Sequence, residues 1–112
     1  MQHENTHKGS IIVICAYKPR EGKEEALLKV VKEHVPILRS VGLATERTAQ
    51  IMKAQNGTIV EVFEWVSAKA IDDAHKHPTV LKMWKEFDEA SVPVPVGELD
   101  ECKHIYSDFE PV

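Results

Sequence analysis

Apolar residues along this chain change period several times, and each change marks an element. Ile11 to Tyr17 (IIVICAY) is an unbroken apolar run rich in β-branched residues, the pattern of a central strand covered on both faces. Lys18-Pro19-Arg20-Glu21-Gly22 then breaks it with proline and glycine. From Lys23 to about Arg39 the period becomes helical: Leu27, Val30, Val31, Val35 and Leu38 form one stripe, with Lys23, Glu24, Lys29, Lys32 and Glu33 opposite. His34 falls at the edge of that stripe and reads as a half-buried residue flanking the core. Pro36 predicts a kink or loosening in the last turn, and Gly42 a stop.

Residues 45–54 are strand-like, and Asn56-Gly57 suits a tight type I′ turn, so 45–54 and 58–66 form a predicted hairpin. In its second strand Ile59, Glu61, Phe63 and Trp65 share one face, and Val60, Val62, Glu64 and Val66 the other. Both faces are mostly apolar with one glutamate each. Ser67 is a good N-cap for a helix over 68–76, and Pro78 opens a second piece over 78–90, with Ile71, Ala74, Leu81, Trp84 and Phe87 toward the sheet. Val92 to Gly97, with alternate prolines, reads as an extended linker, and 99–109 as a charged edge strand.

The resulting order is βαββαβ, an α+β, ferredoxin-like split βαβ with two helices on one face of a four-stranded antiparallel sheet. It occupies residues 10–112 as a single domain, behind a flexible leader over 1–9 that holds His3 and His7. Two helices cover one sheet face. The second apolar face predicts a partner, and a second copy of the chain is the economical one, so a homodimer is expected.

Composition narrows the functions. With 43% hydrophobic residues, 29% charged residues and a net charge of -4, the chain carries no basic footprint for nucleic acid or an anionic membrane surface. No apolar run approaches the roughly 20 residues that span a bilayer. The polar N-terminus lacks a signal-peptide core, which predicts a cytoplasmic protein. Cys15 and Cys102 have neither disulfide-framework nor metal spacing and read as small buried or half-buried thiols. No spacing among His34, His75 and His104 supports a metal site, so none is expected.

The stretch Thr58 to Phe87 concentrates the candidate chemistry. Its wording resembles the antibiotic-biosynthesis-monooxygenase-like group of the dimeric α+β barrel superfamily: Glu64-Trp65-x-Ser67, then Ala74-His75, then Pro78 before an aromatic helix. The Lys18–Gly22 turn is similar to that group's first strand–helix junction, and the resemblance covers about residues 10–109. It implies a dimer with facing sheets and a ligand cavity between each sheet and its own helices. It implies activities that include cofactor-independent oxygenation of anthrones and quinols, haem degradation and isomerisation. Trp65 matches the strand-end tryptophan lining the cavity of the polyketide oxygenases. Their asparagine four positions earlier is Glu61 here, and their tyrosine after the tryptophan falls near Ile71. The first-strand asparagine of the haem-degrading branch falls near Cys15, and its helix histidine near Trp84.

Two candidates carry proton chemistry. His75 carries an imidazole, a group suited by its ordinary chemistry to removing a proton from a phenol or quinol, or else it braces the helix break before Pro78. Glu61, a carboxylate among apolar residues, suits a general base, or else it pairs with Arg47 or Lys53 across the hairpin. Phe63, Trp65 and Trp84 are core residues or the walls for a flat aromatic ligand. The expected function is therefore a cofactor-independent monooxygenase acting on quinol, phenolic or polyketide-like aromatics. The alternative is a non-catalytic barrel that binds a small hydrophobic ligand or serves a stress response.

Overall fold

The computed structural model describes residues 8–112, so most of the expected leader, with His3 and His7, lies outside the described residues. β1 (Ile11–Pro19) leads into α1 (Glu24–Ser40), then β2 (Gln50–Lys53), β3 (Ile59–Trp65), α2 (Ala68–Ala74), α3 (Pro78–Ala90), β4 (Ser91–Val94) and β5 (Glu110–Pro111). The five strands form one antiparallel sheet in the order β4-β1-β3-β2-β5. The fold is thus α+β with five strands among the described residues, one more than the sequence pattern predicts.

The central pair is set by register. Cys15 lies opposite Glu61, Val13 opposite Phe63 and Ile11 opposite Trp65, so these residues share one sheet face. The helices cover that face. Leu27, Val30, Val31, Val35 and Leu38 of α1 are all buried against it, as the helical stripe requires. Along α1 the helix continues through Pro36 to Ser40, and Gly42 takes a positive φ of 78° just beyond it. From α3, Val80, Met83 and Phe87 are buried, whereas Leu81 is exposed, so α3 is rotated relative to the face expected from sequence.

Three local differences have physical causes. The 92–97 stretch expected as a linker holds β4, which pairs with β1 through Ala16↔Val94 and Lys18↔Val92. Proline cannot donate to a ladder, but β4 is an edge strand and one of its sides needs no donors. The 99–109 stretch expected as a strand instead forms a 3-10 turn over Asp100–Lys103 and an irregular run, and β5 starts only at Glu110. The hairpin turn is a three-residue loop, closed by Ala54 and Thr58. Only Gly57 has positive φ (92°), while the Asn56 side chain accepts from the Thr58 N–H at 3.0 Å.

The opposite sheet face is half covered. Leu99, Val96 and Phe109 pack with Ala16, Ala54 and Val60 at one end. At the other end Ile12 and Ile14 remain 56% and 55% exposed. Among the described residues, no helix is long and apolar enough to cross a membrane.

Candidate functional site

Glu61 sits at the middle of β3 on the helix-covered face and is fully buried. A lone carboxylate there costs several kcal/mol unless it is partnered. Its partner is His34 of α1, not Arg47 or Lys53. His34 Nδ1 lies 2.9 Å from Oε1 and 3.1 Å from Oε2 of Glu61. From β1, the Tyr17 hydroxyl donates to Oε1 at 2.9 Å. On the far side of the imidazole, Trp84 Nε1–H of α3 donates to His34 Nε2 at 3.0 Å.

These bonds fix the histidine tautomer. An indole only donates, so Nε2 accepts and Nδ1 carries the proton that it donates to Glu61. A chain Trp84→His34→Glu61←Tyr17 therefore joins four elements. Aromatic rings enclose it. Phe63 meets His34 edge-on at 5.2 Å between ring centroids, and Phe87 does so at 4.8 Å. Trp65 is buried behind Phe63 at 5.3 Å. Among the described residues, no buried side-chain polar atom is left without a partner.

Electrostatics follow from this packing. Burial pushes the Cys15 thiol up to about 11, and the facing Glu61 adds to the shift. Burial also raises the Tyr17 phenol well above its usual range, with Cys15 and Glu61 contributing. Both groups are held neutral, so Tyr17 acts as a donor to Glu61 and Cys15 is a poor nucleophile.

The expected site residues divide. Glu61, Phe63 and Trp84 come together around His34, with Trp65 one ring further out. His75 stands apart. It is exposed at the end of α2, its Nδ1 donates to the Ile71 carbonyl at 2.7 Å, and its ring meets the outer edge of Trp84 at 5.0 Å. No hydrogen bond ties it to Glu61 or His34. His34, read from sequence as a half-buried flank, is instead 3% exposed and central. Its spacing carried the signal: it stands four residues from both Val30 and Leu38, inside the stripe. Two surface grooves run along α1, one by Val31, Val35, Arg39 and Ile51, the other by Lys23, Lys29, Glu86 and Glu89. Neither is lined by His34, Glu61 or Trp84. Half-buried Cys15 and Cys102 are free thiols, and no cluster of three or more metal-ligating side chains occurs among the described residues.

A carboxylate behind one imidazole nitrogen, with the other nitrogen directed away, is the arrangement of a general base. The carboxylate fixes the orientation of the ring.

No protein-family profile matches the chain, and neither does any curated protein. Solved structures do. The chain is similar to protein SO0527 from Shewanella oneidensis, with a TM-score of 0.60 and 16% identity over 77% of this chain and 84% of that one. It is also similar to Rv0793 from Mycobacterium tuberculosis, with a TM-score of 0.59 and 19% identity over 81% of this chain and 96% of that one. At these identities the likeness is one of fold: the chain shares the α+β architecture of these small proteins.

Proposed function

We propose that this protein is a small cofactor-independent oxygenase of flat phenolic or quinol-type aromatics, built as a ferredoxin-like homodimer. The observation that carries the reading is the buried Tyr17–Glu61–His34 chain, whose outer nitrogen Nε2 is directed at Trp84 while Phe63 and Phe87 pack edge-on against the imidazole. His34 Nε2 removes the substrate proton, Glu61 holds the imidazolium, and Tyr17 orients the carboxylate. The electron-rich carbanion then reacts with dioxygen. One oxygen atom stays on a ring carbon and the other leaves as water, so the aromatic itself supplies all four electrons. The base is therefore His34 rather than His75, whose ring lies on the solvent side of Trp84.

The strand order β4-β1-β3-β2, with β5 added at the edge, supports the ferredoxin-like part of this reading. The exposed Ile12 and Ile14 favour a second copy over the uncovered half of the sheet. Oxygen uptake with a panel of naphthohydroquinones and anthrones, without added metal or flavin, tests the activity. His34→Gln should lose at least about 100-fold in rate, the range of a general base, while His75→Ala should retain it. Equal rates for His34→Gln and the parent would end this mechanism.

One observation favours a non-catalytic barrel instead. Every polar atom of the buried chain is satisfied without a ligand, as in a core network that fixes packing. On that reading aromatics bind and stabilise the fold without oxygen uptake.

A further inference from the structure

The reading of His34 as a base meets an obstacle inside the structure, and the obstacle is informative. A neutral imidazole has one acceptor lone pair, and here Trp84 Nε1–H occupies it. Any group that delivers a proton to Nε2 must first take that position. Four side chains meet the ring through hydrogen bonds or aromatic contact: Glu61, Phe63, Phe87 and Trp84. The first three are 0%, 2% and 6% exposed, whereas Trp84 is only half-buried. Trp84 rides on α3, which begins just after the chain leaves α2 at the His75–His77 break, and exposed His75 meets its ring at 5.0 Å. Of these four groups, Trp84 is the least buried and packs at the border of the core.

We propose that the Trp84 indole occupies the ligand's own seat, so that the binding site is the space at His34 Nε2 that the indole now fills as an internal stand-in. The proposal rests on the functional reading above and adds to it what the ligand must be. The indole presents a flat bicyclic ring with a single ring-attached donor. Its replacement must do the same: a fused aromatic carrying one O–H or N–H, directed at Nε2. A ring without that donor leaves the Nε2 lone pair buried and unpaired, and sites built to accept a hydrogen bond reject such analogues strongly. The same contact makes the resting protein self-competing, which lowers apparent affinity by the fraction of molecules with Trp84 seated.

Proton–nitrogen spectra of the full ¹⁵N-labelled chain test the seat directly, with the two indole signals assigned through Trp65→Phe. Titration with 2-naphthol should move the Trp84 Nε1–H signal saturably, whereas 2-methoxynaphthalene should not. Trp84→Phe, which keeps a ring but removes the competing donor, should bind 2-naphthol about tenfold tighter. The proposal is overturned if 2-naphthol fails to bind or saturates without moving the Trp84 signal, if the methoxy compound binds equally well, or if Trp84→Phe binds no tighter. A protein that passes these tests but consumes no oxygen disproves the catalytic reading and leaves the seat intact.

Discussion

Glu61 is the residue on which most of the interior depends. Its carboxylate accepts from His34 Nδ1 and from the Tyr17 hydroxyl, so removing it strands two buried donors at once. Breaking a buried pair from one side typically costs about 3–5 kcal/mol. Glu61→Leu should therefore lose about that much in urea unfolding. Glu61→Gln keeps a carbonyl oxygen for both donors and should lose about 1–2 kcal/mol, nearer one ordinary hydrogen bond. Equal losses for the two variants would mean that volume, not hydrogen bonding, is what Glu61 contributes. Much of this site was legible in the chain: a glutamate amid apolar strand residues needs a partner, and the aromatic positions Phe63 and Trp84 gather around it. The partner's identity was not legible, because helical spacing reveals which face His34 occupies but not which strand position lies beneath it. His75 drew attention through its sequence neighbours Ala74 and Pro78. A side chain at the end of a two-turn helix, however, points where the break sends it, and that direction is set by packing.

At the scale of elements, the hairpin is tied to its neighbours by the second glutamate of β3. Glu64 accepts from Thr45 Oγ1 at 2.6 Å, from Ser10 Oγ at 3.0 Å and from Arg47 Nε at 3.1 Å, linking β3 to the start of β1 and to the segment before β2. The hydrogen bonds from Thr45 and Ser10, more than the Arg47 charge, hold its carboxyl below the usual range. A depressed carboxylate contributes stability that is present above its unfolded value, about 4.3, and is lost as pH falls through the folded value. The melting temperature of the parent should therefore exceed that of Glu64→Gln at pH 7, and the gap should close between about pH 4.3 and lower pH. A gap independent of pH would show that charge at this position is irrelevant. Element reading from sequence succeeded where period and breakers agreed, as in β1, α1 and α3; at the hairpin the sequence located the turn but not its type. It failed at the C-terminal end for a stated reason. Alternate prolines argue against a strand only where both edges must pair, and β4 is paired on one edge alone. The alternation in 99–109, by contrast, matched a strand, but pairing with the β2 edge begins only at Glu110.

For the whole molecule, the two sides of the sheet are unequal, and that inequality is the argument for a second copy. The helices seal the face with Glu61, while the C-terminal segment covers only the Ala16–Val60 end of the other. Ile12 and Ile14 stay more than half exposed on the same strand, and Ile105 and Tyr106 project at 94% and 84% exposure from the covering segment itself. A scattered apolar residue needs no explanation, but two successive outward isoleucines on a central strand form a patch at the middle of a sheet. A second copy related by a twofold axis would bury the patch against its own equivalent. Light scattering at micromolar concentration should give twice the mass of one chain. The double variant Ile12→Asp with Ile14→Asp should run as a folded monomer, since neither side chain contributes to the sealed core and paired like charges would meet across the axis. A parent protein that runs as a monomer, or a double variant that still dimerises, would show that this face is not the contact. Because β1 carries Tyr17 on its other side, the monomeric variant also measures whether association steadies the buried chain: if it does, 2-naphthol binding should weaken in step with the loss of dimer.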